Sequence, residues 1–232
     1  MTKQPQQPFL TRRAAIQLLL VPFCTSFLGF GLGFLFLLIV PAARVHAIDI
    51  FAWLWLGLSI LTLLLLRTVA RRNGVTFHQI GFAKPNIKFL HLLWQIPSLI
   101  IIALIVQAIV ASLIGLEPPK DRGVDIVHQA SFAAGIAAAI AVSLLVPLWE
   151  EITFRGVLYG VVRARIGASL AVIITGILFA AAHINPILTP YLLVMGLGLG
   201  FIRAFHQNVW ASVIAHATLN SLVTLLVFLA LI

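Results

Sequence analysis

The sequence predicts an all-α fold, a polytopic bundle of about seven transmembrane helices (six to eight), with a candidate catalytic site among the C-terminal ones. Three observations carry this. First, 62% of residues are hydrophobic and 9% charged, against roughly 45–50% and about 25% in soluble domains. The mean hydropathy is +1.13. Second, apolar runs of span length recur along the chain, separated by Pro, Gly and charged residues. Third, with the N-terminus placed in the cytoplasm and seven spans, twelve of the 15 Lys and Arg fall on inside segments, and only Arg44, Lys120 and Arg122 outside. The net charge of +9 therefore reads as topology signal and lipid-headgroup contact, and no nucleic-acid partner is expected. The single cysteine, Cys24, excludes an intrachain disulfide and a cysteine metal site. It is expected to be a small buried packing residue.

Residues 1–13 form a polar tail, and residues 14–129 hold the N-terminal helices. The first apolar run, 14–42, is too long for a signal-peptide core of about 7–15 residues, so an uncleaved first helix is expected. A second span covers 48–66. A cytoplasmic loop, 67–89, follows, in which Val75 to Phe82 reads as a short amphipathic piece on the membrane surface. The third span covers 90–114, and Glu117 to Gly123, with paired prolines, marks a turn outside the hydrocarbon. Residues 130–232 form the catalytic-type region. It opens with a long helix, 130–165, which Pro147 should kink, freeing a carbonyl near residue 143 that then needs a partner. Ile166-Gly167 is a turn, and the remaining spans cover 168–184, 187–204 and 209–231, the first of these broken by Asn185-Pro186. Gly pairs four apart, such as Gly196/Gly200, are suited to close helix packing.

The long helix carries the chemistry. Two of the six acidic residues, Glu150 and Glu151, stand side by side in an apolar run, where each charge costs at least ~2.5–3.5 kcal/mol. Glu151 and Arg155 are i,i+4 and can pair, whereas Glu150 lies about 100° round the axis. Glu150 is thus left for general-base work. His183 and His216 are expected within apolar helices, and His216 shares a face with Asn220. The other histidines, His46, His78, His91, His128 and His206, are expected at interfaces or in loops. If Ile166-Gly167 is tight, Glu150 lies 16 residues before Ile166 and His183 lies 16 after Gly167, which sets both roughly 24 Å from the turn at ~1.5 Å per residue. Carboxylate and imidazole at one level suit water activation, and imidazole and amide suit oxyanion stabilisation.

The ordered set Glu150-Glu151-x-x-x-Arg155, Phe179-x-x-x-His183 and His216-x-x-x-Asn220 resembles the CAAX-protease and bacteriocin-processing family (CPBP, or Abi) of intramembrane proteases. Gly156 and Trp210 also fit, and the likeness covers about 130–232. The resemblance implies cleavage of a peptide bond in a membrane-associated peptide or protein. Glu150 with His183 would activate water, His216 with Asn220 would hold the oxyanion, and Glu151 with Arg155 would support them. Family members are described both as zinc enzymes and as metal-free, glutamate-dependent ones. No cofactor is assigned with certainty; a Zn2+ ion, if used, would take Glu150, His183 and His216. Other readings of the same residues are a non-enzymatic membrane partner or peptide-toxin immunity protein, a proton-coupled transporter, and a weaker Ser212–His216 hydrolase dyad. The expected location is the cell membrane, multi-pass, with the N-terminus cytoplasmic and the C-terminus outside.

Overall fold

The computed structural model describes residues 10–115 and 130–229. The charged turn at 117–123 and His128 lie outside the described residues. Seven helices occur among the described ones: α1 (Arg12–Ile39), α2 (Ala47–Arg72), α3 (Leu92–Leu113), α4 (Phe132–Ile166), α5 (Ala168–Ala182), α6 (Thr189–His206) and α7 (Val209–Leu229). Short 3₁₀ turns, Pro41–His46 and Ile87–His91, lead into α2 and α3. The chain is a multi-pass membrane protein. Five segments are long and apolar enough to cross a membrane, and α5 and α6, at 15 and 18 residues, are the short pair. Large apolar side chains face outward, Phe27 being 82% and Leu113 79% exposed. Lipid, not water, solvates such a surface.

Local sequence sets the helix ends. The Thr11 hydroxyl accepts from Ala14 N at 3.2 Å, so α1 begins at Arg12, inside the stretch expected to be tail. Gly167, at φ +88°, turns α4 back into α5, giving the expected antiparallel pair. Asn185 accepts from Leu188 N and closes the break after α5.

Loop contacts sort the ends of the bundle. Asn73 Nδ2 donates to Gln17, Arg163 to Gln207, and His206 to Gln95, so the start of α1, the end of α2, the start of α3 and the ends of α4 and α6 share one end. At the other end Asp49 accepts from Ser131 N, and Gln107 clamps the 187–191 segment. Two apolar clusters lie on either side of α4. Leu99, Phe154, Phe179, Leu199 and Ala215 form part of one; Leu18, Ile80, Phe82, Val157 and Val209 form part of the other.

Three placements differ from expectation. Residues 75–82, expected as an amphipathic piece on the membrane surface, are instead partly drawn inward. They form turns that tuck Ile80 and Phe82 into the bundle, with Gly81 O accepting from Val209 N at 2.9 Å and Phe82 edge-on to Trp210 at 4.8 Å. Pairing with the α6–α7 turn satisfies backbone groups that a surface helix would have satisfied internally. Cys24 is exposed, at the edge of the groove between α1 and α2. His206 is buried, not interfacial; Nε2 donates to Gln95 Oε1 at 2.9 Å and its ring packs on Phe89 and Phe205.

The α5–α6 crossing is backbone on backbone. A Cβ on Gly196 would stand 2.5 Å from Gly176 O, and one on Gly176 would stand 3.0 Å from Leu197 N. Small residues are what allow this approach. Gly196→Ala is therefore expected to lower the thermal midpoint in detergent, with a cost of about 1–3 kcal/mol for overpacking. Gly31→Ala, whose Cβ meets nothing within 4 Å, should leave the midpoint unchanged or raise it.

Candidate active site

Pro147 decides the local geometry of α4. The helix widens into a π segment at Ala141–Leu145, in which Val146 N–H bonds to Ala141 O. The next bond in that register would run from residue 147 to Val142 O, but proline has no N–H. Asn220 fills the gap: its Nδ2 donates to Val142 O at 2.9 Å. The carbonyl expected near residue 143 thus finds its partner on α7. A second π segment, Ile152–Leu158, follows, with Tyr159 N–H on Phe154 O. Glu150 and Glu151 stand at the end of the short α stretch, Val146–Glu151, between the two. Such π segments recur at functional sites.

Glu151 is wholly buried and held twice. Its Oε1 accepts from Arg155 Nη1 at 2.9 Å and from His216 Nδ1 at 3.0 Å. Arg155, also 0% exposed, donates through Nη2 to Gly196 O at 2.9 Å. The backbone crossing that brings α6 close to α5 therefore also supplies a partner for the buried guanidinium. Arg203 Nε donates to the Arg155 carbonyl at 3.1 Å, which fixes the second π segment from α6.

Glu150 is placed differently. Its two oxygens face two imidazoles, Oε1 lying 3.9 Å from His183 Nε2 and Oε2 lying 3.7 Å from His216 Nε2. Each ring is held from behind. His183 Nδ1 donates to Phe179 O at 2.8 Å, and His216 Nδ1 to Glu151. Both therefore turn Nε2 toward Glu150. The Phe179 ring is the common wall, 4.5 Å from Arg155 Cζ, 4.6 Å from the His183 ring, 5.7 Å from that of His216 and 5.3 Å from Phe154. Side-chain exposure is 31% at His183 against 10% at Glu150 and 5% at His216, so the site opens past His183.

Glu150, Glu151, Arg155, His183 and His216 thus meet in one network, with Asn220 one turn further along α7. His183, expected within the apolar span 168–184, stands at its very end. It caps α5, because the chain turns at Ile184 (φ +48°) before Asn185-Pro186. Ser212 donates to Val209 O, and both His216 nitrogens face glutamates, so no serine–histidine dyad is arranged. Tetrahedral ligands about 2.0–2.1 Å from zinc stand roughly 3.4 Å apart, whereas the two histidines face opposite oxygens of Glu150 at 3.7 and 3.9 Å. No group of three or more His, Cys, Asp or Glu among the described residues is arranged to hold a metal. As placed, Glu150, His183 and His216 are spaced wider than ligands of one zinc ion.

Sequence reasoning missed two supports. Gln107 on α3 accepts from Tyr191 N at 3.1 Å and donates to Ile187 O at 2.9 Å, bracing the segment beside His183. A glutamine deep inside an apolar span was its signal. The Gly196 carbonyl left no signal beyond a small-residue pair.

Comparison with known proteins bears on this region. A family described as "Type II CAAX prenyl endopeptidase Rce1-like" matches residues 131–222, which hold all six candidate residues. A protein of Bacillus subtilis (strain 168), named "Putative membrane peptidase YdiL", is 29% identical over 177 residues, 72% of this chain. The matched stretch spans 66% of that relative's own length. No solved structure matches. The family match falls on the stretch that carries the ordered Glu, His and Asn motifs.

The Asn220–Val142 contact gives a coupling test. Asn220→Leu leaves a buried carbonyl unpaired and should cost about 1–3 kcal/mol. Pro147→Ala restores an N–H, so the double variant should recover most of that loss in thermal melts. Strictly additive effects would mean that the proline does not free this carbonyl.

Proposed function

We propose that the chain is an intramembrane endopeptidase of CAAX-protease type, cleaving a peptide bond in a membrane-associated peptide or protein. One observation carries the reading: Glu150 is set between two imidazoles, each oriented from behind, in a buried pocket open on one side. The endopeptidase family description and the peptidase name of the relative favour the same chemistry.

In the proposed mechanism a water sits between Glu150 and His183. Their separation of 3.9 Å is too long for a direct hydrogen bond, and one water oxygen roughly 2.8 Å from each spans it. Glu150 takes a proton from the water as its oxygen attacks the carbonyl carbon, and His183 holds that oxygen in line. The carbonyl becomes a tetrahedral oxyanion, with the second N–H of the Asn220 amide and the Nε2–H of His216, acting as an imidazolium held by Glu151 through Nδ1, as its donors. Glu150 then delivers the proton to the leaving nitrogen, the C–N bond breaks, and acid and amine products leave. Glu151 and Arg155 keep His216 in place throughout. Water access has a structural basis. A 15-residue α5 rises about 22 Å, less than the hydrocarbon thickness of roughly 30 Å. Non-helical backbone after His183 would thus lie below the membrane surface, where it is tolerated beside an aqueous notch.

The proposed setting is the cell membrane, with the N-terminus in the cytoplasm and the C-terminus outside. The end carrying Arg13, Arg72, Lys84, Lys88, Arg163 and Arg165 would face inward.

Glu150→Ala and His183→Ala are each expected to lower cleavage of a membrane-peptide library in proteoliposomes by about 10²-fold or more, with expression unchanged. Full cleavage by either variant would sink the proposal. Chelators should leave activity intact, with no stoichiometric metal in the purified protein. Loss of activity together with one bound zinc would instead make Glu150, His183 and His216 its ligands.

A further inference from the structure

A second polar cluster lies far from the glutamates, at the cationic end of the bundle. Between α1 and α2 is a cavity of about 530 Å³. Arg13, Arg72, Gln17 and Asn73 line its mouth, and Leu20, Leu65 and Val69 line its apolar part. Asn73 Nδ2 donates to Gln17 Oε1 at 2.9 Å, which leaves the Gln17 amide nitrogen as a further donor.

The charges at the mouth have no counterpart in the described protein. The described carboxylates are Asp49, Glu150 and Glu151. Asp49 is at the opposite end, against Ser131, and the glutamates belong to the active-site network. Among the described residues no ion pair includes Arg13 or Arg72. Two guanidiniums and an amide therefore converge on a cavity whose remaining wall is hydrocarbon-like. Phosphate matches the first part, an acyl chain the second, and one molecule combining them is an anionic phospholipid.

We propose that the α1–α2 groove binds one anionic phospholipid, its phosphate on Arg13 and Arg72 and an acyl chain along Leu20, Leu65 and Val69. The site does not depend on the proposed peptidase reading. It has a structural consequence, because α1 also packs through Ala15 and Leu18 against Val157 in the second π segment of α4. A lipid that ties α1 to α2 braces that segment from behind.

The test uses the full-length protein, delipidated in neutral detergent, with native mass spectrometry and thermal melts. Phosphatidylglycerol is expected to give a 1:1 adduct and a raised melting temperature, whereas phosphatidylcholine and inorganic phosphate give neither. Arg13→Gln/Arg72→Gln should weaken phosphatidylglycerol binding at least about tenfold, at ~1 kcal/mol per cation near a lipid surface. Lys84→Gln/Lys88→Gln, at the same end but outside the groove, should retain it. Leu65→Trp, which fills the apolar part and keeps both arginines, should also displace the lipid. Equal binding by the Arg13/Arg72 variant would reduce the effect to diffuse surface charge and overturn the site. Equal stabilisation by phosphatidylcholine would overturn the role of the arginines, and equal stabilisation by phosphate alone would overturn that of the acyl chain.

Discussion

Keeping two adjacent carboxylates inside an apolar bundle is the constraint on which the rest of this structure depends. Each must be compensated where water is scarce. Glu151 receives Arg155 and His216 on a single oxygen. Arg155 in turn needs Gly196 O, which is within reach because α5 and α6 cross at Gly176 and Gly196 with no side chain between. His216 is drawn to Glu151 through Nδ1, and that contact aims Nε2 at Glu150. The acid held through one oxygen by Arg155 and His216 is thus the scaffold, and the loosely paired one faces the imidazoles.

The contacts between α4 and α7 show the same economy. Along α7, His216, Asn220 and Thr224 stand four residues apart and meet Glu151, Val142 O and Ser143. The ladder uses one defect productively: Pro147 removes a backbone donor, and the vacated acceptor becomes an anchor for Asn220. Ring packing on Phe179 adds a rigid wall shared by the guanidinium and both histidines.

Much of this was legible in the sequence because it rests on helix periodicity and chain reversal. The Glu151–Arg155 pair follows from i,i+4 spacing. The meeting of Glu150 and His183 follows from equal distances on either side of Gly167. What was not legible depended on tertiary placement. Hydropathy alone cannot say whether His206 meets lipid headgroups or Gln95, nor which way Cys24 turns on a helix that is apolar all round. Val75 to Phe82 has the pattern of an amphipathic piece on the membrane surface, yet Ile80 and Phe82 fill the space beneath the α6–α7 turn. The role of Asn220 required knowing that α4 leaves the α register before Pro147, and no residue pattern announces that shift.

The central claim is the division of labour between the two glutamates, and a matched pair of isosteric variants measures it most directly. Thermal stability and peptide cleavage would be recorded together for Glu150→Gln and Glu151→Gln in the same proteoliposomes. The account predicts that Glu150→Gln abolishes cleavage while keeping wild-type stability. Glu151→Gln, which strands Arg155 in the interior, should lose stability on the scale of a broken buried ion pair, about 3–5 kcal/mol. Equal stability losses in the two variants, or retained cleavage in Glu150→Gln, would contradict it.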